Sequence, residues 1–129
     1  MPFVQVNVVG HLDPSTSGQI MRGISSVLQE VANKSSAVTY IQFVESSPNS
    51  WGRGEELAAF QSLAFPCVEI KSAGPLTFDQ KEAIVAGVQG VLDTHSADSN
   101  PPSYVVIQEV SRQSWSRGGS MLERPEETK

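Results

Sequence analysis

Apolar positions along this chain follow two periods, and the order of periods occurs twice. Residues 3–9 read Phe-Val-Gln-Val-Asn-Val-Val, and Val4, Val6 and Val8 alternate onto one side. That period of two predicts a strand closed by Gly10. Asp13-Pro14 then predicts a helix start, with Asp as the cap and Pro at the first helical position. Ile20, Met21, Ile24, Val27, Leu28 and Val31 form a stripe of helical period, which predicts a helix of about five turns. Gly18 and Gly23 each cost such a helix about 1 kcal/mol relative to Ala, so packing must hold it. Residues 39–45, Thr-Tyr-Ile-Gln-Phe-Val-Glu, predict a second strand.

The same plan returns from residue 66 onward. Thr77 and Gln80 have the spacing of a capping box, and Ile84, Val85, Val88, Val91 and Leu92 carry the second stripe. Residues 103–110 predict the closing strand. A shift of 64 aligns 2–58 with 66–122 without a gap, and 16 of those 57 positions are identical. Unrelated segments of ordinary composition would share ~3–4. Both tryptophans (Trp51, Trp115) and both tyrosines (Tyr40, Tyr104) fall in register.

Strand, helix, strand with a long crossover is a β-α-β unit with parallel strands and a right-handed connection. The expected fold class is therefore α/β: two fused β-α-β units form a four-stranded sheet with two helices on one face. The expected divisions are a first unit at 1–58, a linker at 59–65, a second unit at 66–122 and a charged, frayed tail at 123–129. Two helices leave the other sheet face bare, which predicts burial against other copies of the chain.

Composition narrows the function. The 129 residues carry 14 acidic and 9 basic side chains, a net charge of −5, which gives no general attraction to nucleic acid or anionic lipid. No apolar run is long enough to span a bilayer, and the first residues lack the pattern of a signal peptide, so a cytoplasmic location is expected. Cys67 is the single cysteine and excludes an intrachain disulfide; with His11 and His95 it makes no convincing metal site. No metal and no cofactor are expected.

Three features together resemble the tautomerase superfamily, typified by 4-oxalocrotonate tautomerase. Pro2 follows Met1, the β-α-β unit is 57 residues long, and it closes on Trp51-Gly52-Arg53-Gly54. Members with two fused copies include malonate semialdehyde decarboxylase and cis-3-chloroacrylic acid dehalogenase, and the resemblance implies a homotrimer. It also implies that Pro2, with Met1 removed, is the catalytic residue. A secondary amine among apolar walls and cations has its charged form disfavoured, so it can serve as a general base or acid near neutral pH. The implied activity is a keto-enol tautomerase-like isomerase acting on a small enol or keto carboxylic acid. Pro66 has its nitrogen locked in a peptide bond, so one site per chain is implied.

The family's substrate-holding arginines are missing at the matching positions, which carry Leu12, Leu76, Tyr40 and Tyr104. Arg117 and Arg53, two residues after each tryptophan, are the candidate carboxylate forks. Trp115 and Trp51 match the family's pocket aromatic, Tyr104 is a candidate hydrogen-bond donor, and His11 follows the first strand. Each also has a structural reading: an arginine stacked on tryptophan, an aromatic at a subunit contact, a bystander histidine. A glutamate that activates water in the dehalogenase is replaced by Arg117, which argues against hydrolytic dehalogenation. Two functional readings follow. One is the proline-based isomerase, or a decarboxylase or dehalogenase of the same superfamily. The other is a trimeric scaffold or binding protein with weak or no catalysis.

Overall fold

The computed structural model describes residues 1–57, 59–61 and 63–125. The first copy supplies β1 (Pro2–Val9), α1 (Pro14–Ala32) and β2 (Tyr40–Ser46), followed by a small hairpin, β3 (Gly52–Arg53) and β4 (Glu56–Leu57). The second supplies β5 (Cys67–Ala73), α2 (Phe78–Asp93), β6 (Tyr104–Val110) and the hairpin β7 (Ser116–Arg117) and β8 (Ser120–Met121). The two hairpins lie beyond the predicted elements. Gly54 and Gly118 turn them with φ of 62° and 61°, where a side chain would be strained.

The helix starts form as the sequence predicts. Asp13 Oδ1 accepts from the Thr16 N–H at 2.8 Å. Thr77 and Gln80 exchange both bonds of a capping box, at 3.1 and 2.9 Å. The four-stranded sheet has the order β2-β1-β5-β6. Each copy keeps its own two strands parallel, with Phe3 opposite Tyr40 and Cys67 opposite Tyr104. The copies meet antiparallel along β1 and β5, from Pro2 opposite Ser72 to Val6 opposite Val68. Gln5 faces Glu69, its own repeat counterpart, so a pseudo-twofold axis passes between these two residues.

Val4, Val6 and Val8 from β1 and Val68 and Ile70 from β5 face the helices, where Ile20, Ile24 and Leu28 meet Ile84, Val88 and Leu92. Met21 departs from the predicted stripe: it is 39% exposed, because the buried face of α1 is the narrower i, i+4, i+8 line. The helices cross closely at reciprocal glycines. A methyl group on Gly23 would lie 2.8 Å from Val91 Cγ2, and one on Gly87 would lie 2.9 Å from Val27 Cγ1. The helix cost of these glycines thus admits the valine of the other helix. The expected linker is stitched to the end of β1, with Leu63 N–H donating to the Val9 carbonyl at 2.6 Å and Phe65 buried in the core. Of the expected frayed tail, residues 126–129 lie outside the described residues.

The uncovered sheet face is more mixed than a bare apolar patch. Tyr40, Tyr104 and Val106 are well exposed there, but Gln42, Glu69, Lys71 and Gln108 are exposed with them. Among the described residues no helix is long and apolar enough to cross a membrane.

Gly23→Ala tests the helix crossing. Helix propensity alone would favour Ala by about 1 kcal/mol. The β-branched Val91 is stiff in its helix and cannot swing away, so overpacking of about 1–3 kcal/mol should win. Urea denaturation should show a lower midpoint for Gly23→Ala, partly restored by adding Val91→Ala.

Candidate active site

The strand directions decide which residues can meet. In each copy the crossover returns the second strand parallel to the first, so the terminal hairpin leaves from the far end of its own unit. Because β5 runs against β1, the far end of the second copy is the near end of the first. The β7–β8 hairpin therefore comes to Pro2, at the start of β1. The β3–β4 hairpin comes by the same rule to Pro66.

A cleft of about 340 Å³ opens at Pro2. Its apolar walls are Phe3, Val38, Tyr40 and Trp115, and its cations are Lys71 and Arg117. Lys71 lies directly opposite Phe3 across the antiparallel pair. Neither cation forms a salt bridge among the described residues. Two further cations act from behind. The Lys34 Nζ donates to the Ala73 carbonyl at 3.2 Å, and Arg112 lies against Gly74. Burial holds the Met1 amine below its ordinary value, and the charges of Lys34 and Arg112 add to that shift. Lys34 is itself held down, by burial first and then by Arg112. Four of the chain's nine basic residues are thus gathered around its first two positions.

The backbone adds a donor. The Ala73 N–H donates to the Met1 carbonyl at 3.2 Å, in the same peptide unit as the Pro2 nitrogen. Ser72, opposite Pro2, is buried, and its hydroxyl has no hydrogen-bond partner among the described residues. Glu45 and Glu109 have the same structural task in each copy. Their carboxylates accept from the N–H of Leu12 at 2.9 Å and of Leu76 at 3.1 Å, and so fix the loop after the first strand. Lys81 hydrogen-bonds Glu109 and, together with the Leu76 N–H, holds its carboxyl below the usual range.

No family model matches the sequence, and no curated protein matches it. Solved structures do match in three dimensions. The "R7 fused 4-OT wild type asymmetric trimer" superposes with a TM-score of 0.77 at 16% identity, covering 93% of this chain and 95% of that one. The protein Pt0534, inactivated by 2-oxo-3-pentynoate, gives 0.75 at 11% identity, covering 92% and 94%. The FG41 malonate semialdehyde decarboxylase inhibited by 3-bromopropiolate gives 0.68 at 16% identity, covering 92% of each chain. The chain has the tautomerase-superfamily fold.

On that tautomerase-like frame the candidate residues separate into two groups. Pro2, Trp115 and Arg117 share the first cleft. Tyr104, Trp51 and Arg53 line a second cleft, around Pro66. The tyrosine beside Pro2 is Tyr40, because the start of β2 pairs with the start of β1, whereas Tyr104 starts β6 at the opposite end. His11 also lies away from Pro2. It follows the far end of β1, which spans roughly 23 Å, and its Nδ1 lies 2.7 Å from Glu45 Oε2 on the surface. Lys71, Lys34 and Arg112 do not stand out in the sequence, since their repeat counterparts are Asn7, Asp98 and Pro48. The signal that finds Lys71 is the register of β1 against β5, which an alternating pattern leaves open.

Proposed function

We propose that this chain is an enzyme of the tautomerase kind, with Pro2 as its proton-transferring group. The observation that carries the reading is the meeting of Pro2 with Lys71, Arg117 and Trp115 in one cleft. Removal of Met1 would leave Pro2 as a secondary amine in surroundings that already depress the amine one residue earlier. It would also free the Ala73 N–H, whose present acceptor is the Met1 carbonyl. The substrate class is a small enol or keto carboxylic acid. Arg117 and Lys71 take its carboxylate, and Trp115 and Tyr40 cover its apolar part. The neutral amine of Pro2 accepts the enol O–H proton, the Ala73 N–H stabilises the oxygen as negative charge builds, and the proton is returned to carbon. The net change is a 1,3-shift of one proton, an isomerisation that needs no cofactor.

Replacement of the family's arginines by Leu76 and Tyr104 does not leave the cleft without cations, because Lys71 and Arg117 stand in it. A homotrimer is supported by the trimeric state named for a fused 4-OT of the same fold. Light scattering should report three chains per particle at micromolar concentration; a stable monomer would contradict this assembly.

Intact mass should equal the chain without Met1, and a retained Met1 would remove the base. With phenylenolpyruvate or 2-hydroxymuconate as substrate, Pro2→Ala should abolish the proline-dependent rate. Arg117→Ala should lower kcat/KM by about 100-fold, the order of one lost charge-stabilising contact. Arg53→Ala should leave the rate within about twofold, since Arg53 belongs to the other cleft. Equal losses in Arg53→Ala and Arg117→Ala would reject the assignment.

The pH profile gives an independent check. The base must be neutral, so kcat/KM should rise with pH through the Pro2 amine pKa, and the burial and cations that lower the Met1 amine should act on it in the same direction. Removing the Lys34 charge relieves part of that depression, so the amine pKa rises. Lys34→Ala should therefore move the ascending limb of the profile to higher pH while leaving the plateau rate near its original value. An unmoved limb would exclude Lys34 from the electrostatics of Pro2.

A further inference from the structure

The repeat builds a second cleft that the chemistry at Pro2 does not use. It measures about 420 Å³, and its elements are the pseudo-twofold equivalents of those around Pro2. Trp51 replaces Trp115, Arg53 replaces Arg117, Tyr104 replaces Tyr40, and Pro66 replaces Pro2. Pro66 can carry no free amine: its nitrogen is acylated by Phe65, and its carbonyl accepts the Tyr104 N–H at 2.9 Å. Cys67 beside it gives no nucleophile either, because burial and Glu69 push its thiol above the ordinary value.

The walls of this cleft are fixed before any ligand arrives. The Trp51 indole N–H donates to the Ser46 hydroxyl. The ring of Phe60 meets Trp51 edge-on, with centroids 6.1 Å apart and planes at 75°. Pro101 and Pro102 form the opposite rim. The loop before them is tied down by the Gln61 N–H donating to Asn100 Oδ1 at 2.8 Å. Such a site loses little freedom on binding. Among the described residues its only cation is Arg53, which forms no salt bridge with any of them. The position equivalent to Lys71 is Asn7, and its amide is occupied by the Cys67 carbonyl at 3.2 Å.

We infer that the Pro66 cleft is a non-catalytic binding site for a monocarboxylate with a flat, apolar body. One guanidinium takes one carboxylate as a planar fork, and Trp51, Phe60 and the prolines take the ring. The Pro2 cleft differs in kind, with Lys71 beside Arg117. The inference does not depend on catalysis by Pro2.

The test uses the full chain carrying Trp115→Phe, so that Trp51 is the remaining tryptophan and its emission reports on this cleft alone. Titration with phenylacetate should change Trp51 emission saturably. The neutral isostere phenylacetamide should bind about tenfold more weakly, as should phenylacetate to a chain that also carries Arg53→Gln. Arg117→Gln should leave the titration unchanged. Absence of saturable change up to millimolar phenylacetate would overturn the inference. So would equal affinity for acid and amide, or a loss of binding in Arg117→Gln. Should Arg53→Gln unfold by circular dichroism, the acid–amide comparison in the Trp115→Phe chain decides by itself.

Discussion

The antiparallel contact of β1 with β5 is the constraint on which the rest of the molecule depends. Each β-α-β unit alone has two strands, one helix and a hairpin that ends far from the start of its first strand. Pairing the units head to tail closes the sheet and places the two helices side by side. It also sends each hairpin to the other copy's opening proline. Had β1 and β5 paired in parallel, Trp115 and Arg117 would stand at the end of β1 occupied by His11. The cleft at Pro2 is thus a property of the fusion, and neither copy contains it.

Electrostatics follow from the same pairing. The chain is acidic overall, yet Lys34, Lys71, Arg112 and Arg117 surround its first residues. They come from the loop after α1, from β5, from the loop after β6 and from the β7–β8 hairpin. No two of them are repeat counterparts. Like charges brought together in a partly buried place raise the cost of one more, and this disfavours a protonated amine there. The same field favours a carboxylate over a cation in that place.

The repeat is symmetric in its framework and asymmetric in its chemistry. Glycines cross at Gly23 and Gly87, glutamates hold the loops at Glu45 and Glu109, and tryptophan, arginine and glycine close each unit. These positions keep their identities because both halves meet the same packing problem. The asymmetry arises where a covalent fact separates the halves: Pro2 has Met1 before it and Pro66 has Phe65. Lys71 against Asn7 then distinguishes a cleft with two cations from one with a single guanidinium.

Much of this was legible without coordinates. Period-two valines, the Asp13-Pro14 and Thr77–Gln80 helix starts and the ungapped repeat determine the two β-α-β units, since these signals are local and depend only on backbone geometry and burial. Pro2 and Arg117 could be named as candidates through the repeat and the closing Trp-x-Arg-Gly stretch, and the fold brings both into one cleft. What only the tertiary structure decided was who meets whom. The tyrosine beside Pro2 is Tyr40 and not Tyr104, His11 lies away from the cleft, and Lys71 joins it from the neighbouring strand. Tyr40 is placed by the pairing of β1 with β2 and His11 by the length of β1, whereas the exclusion of Tyr104 and the arrival of Lys71 rest on the direction and register of β1 against β5. Alternation says which face a residue occupies, but it is identical for parallel and antiparallel partners and for any shift by two, so only the assembled sheet fixes the neighbours.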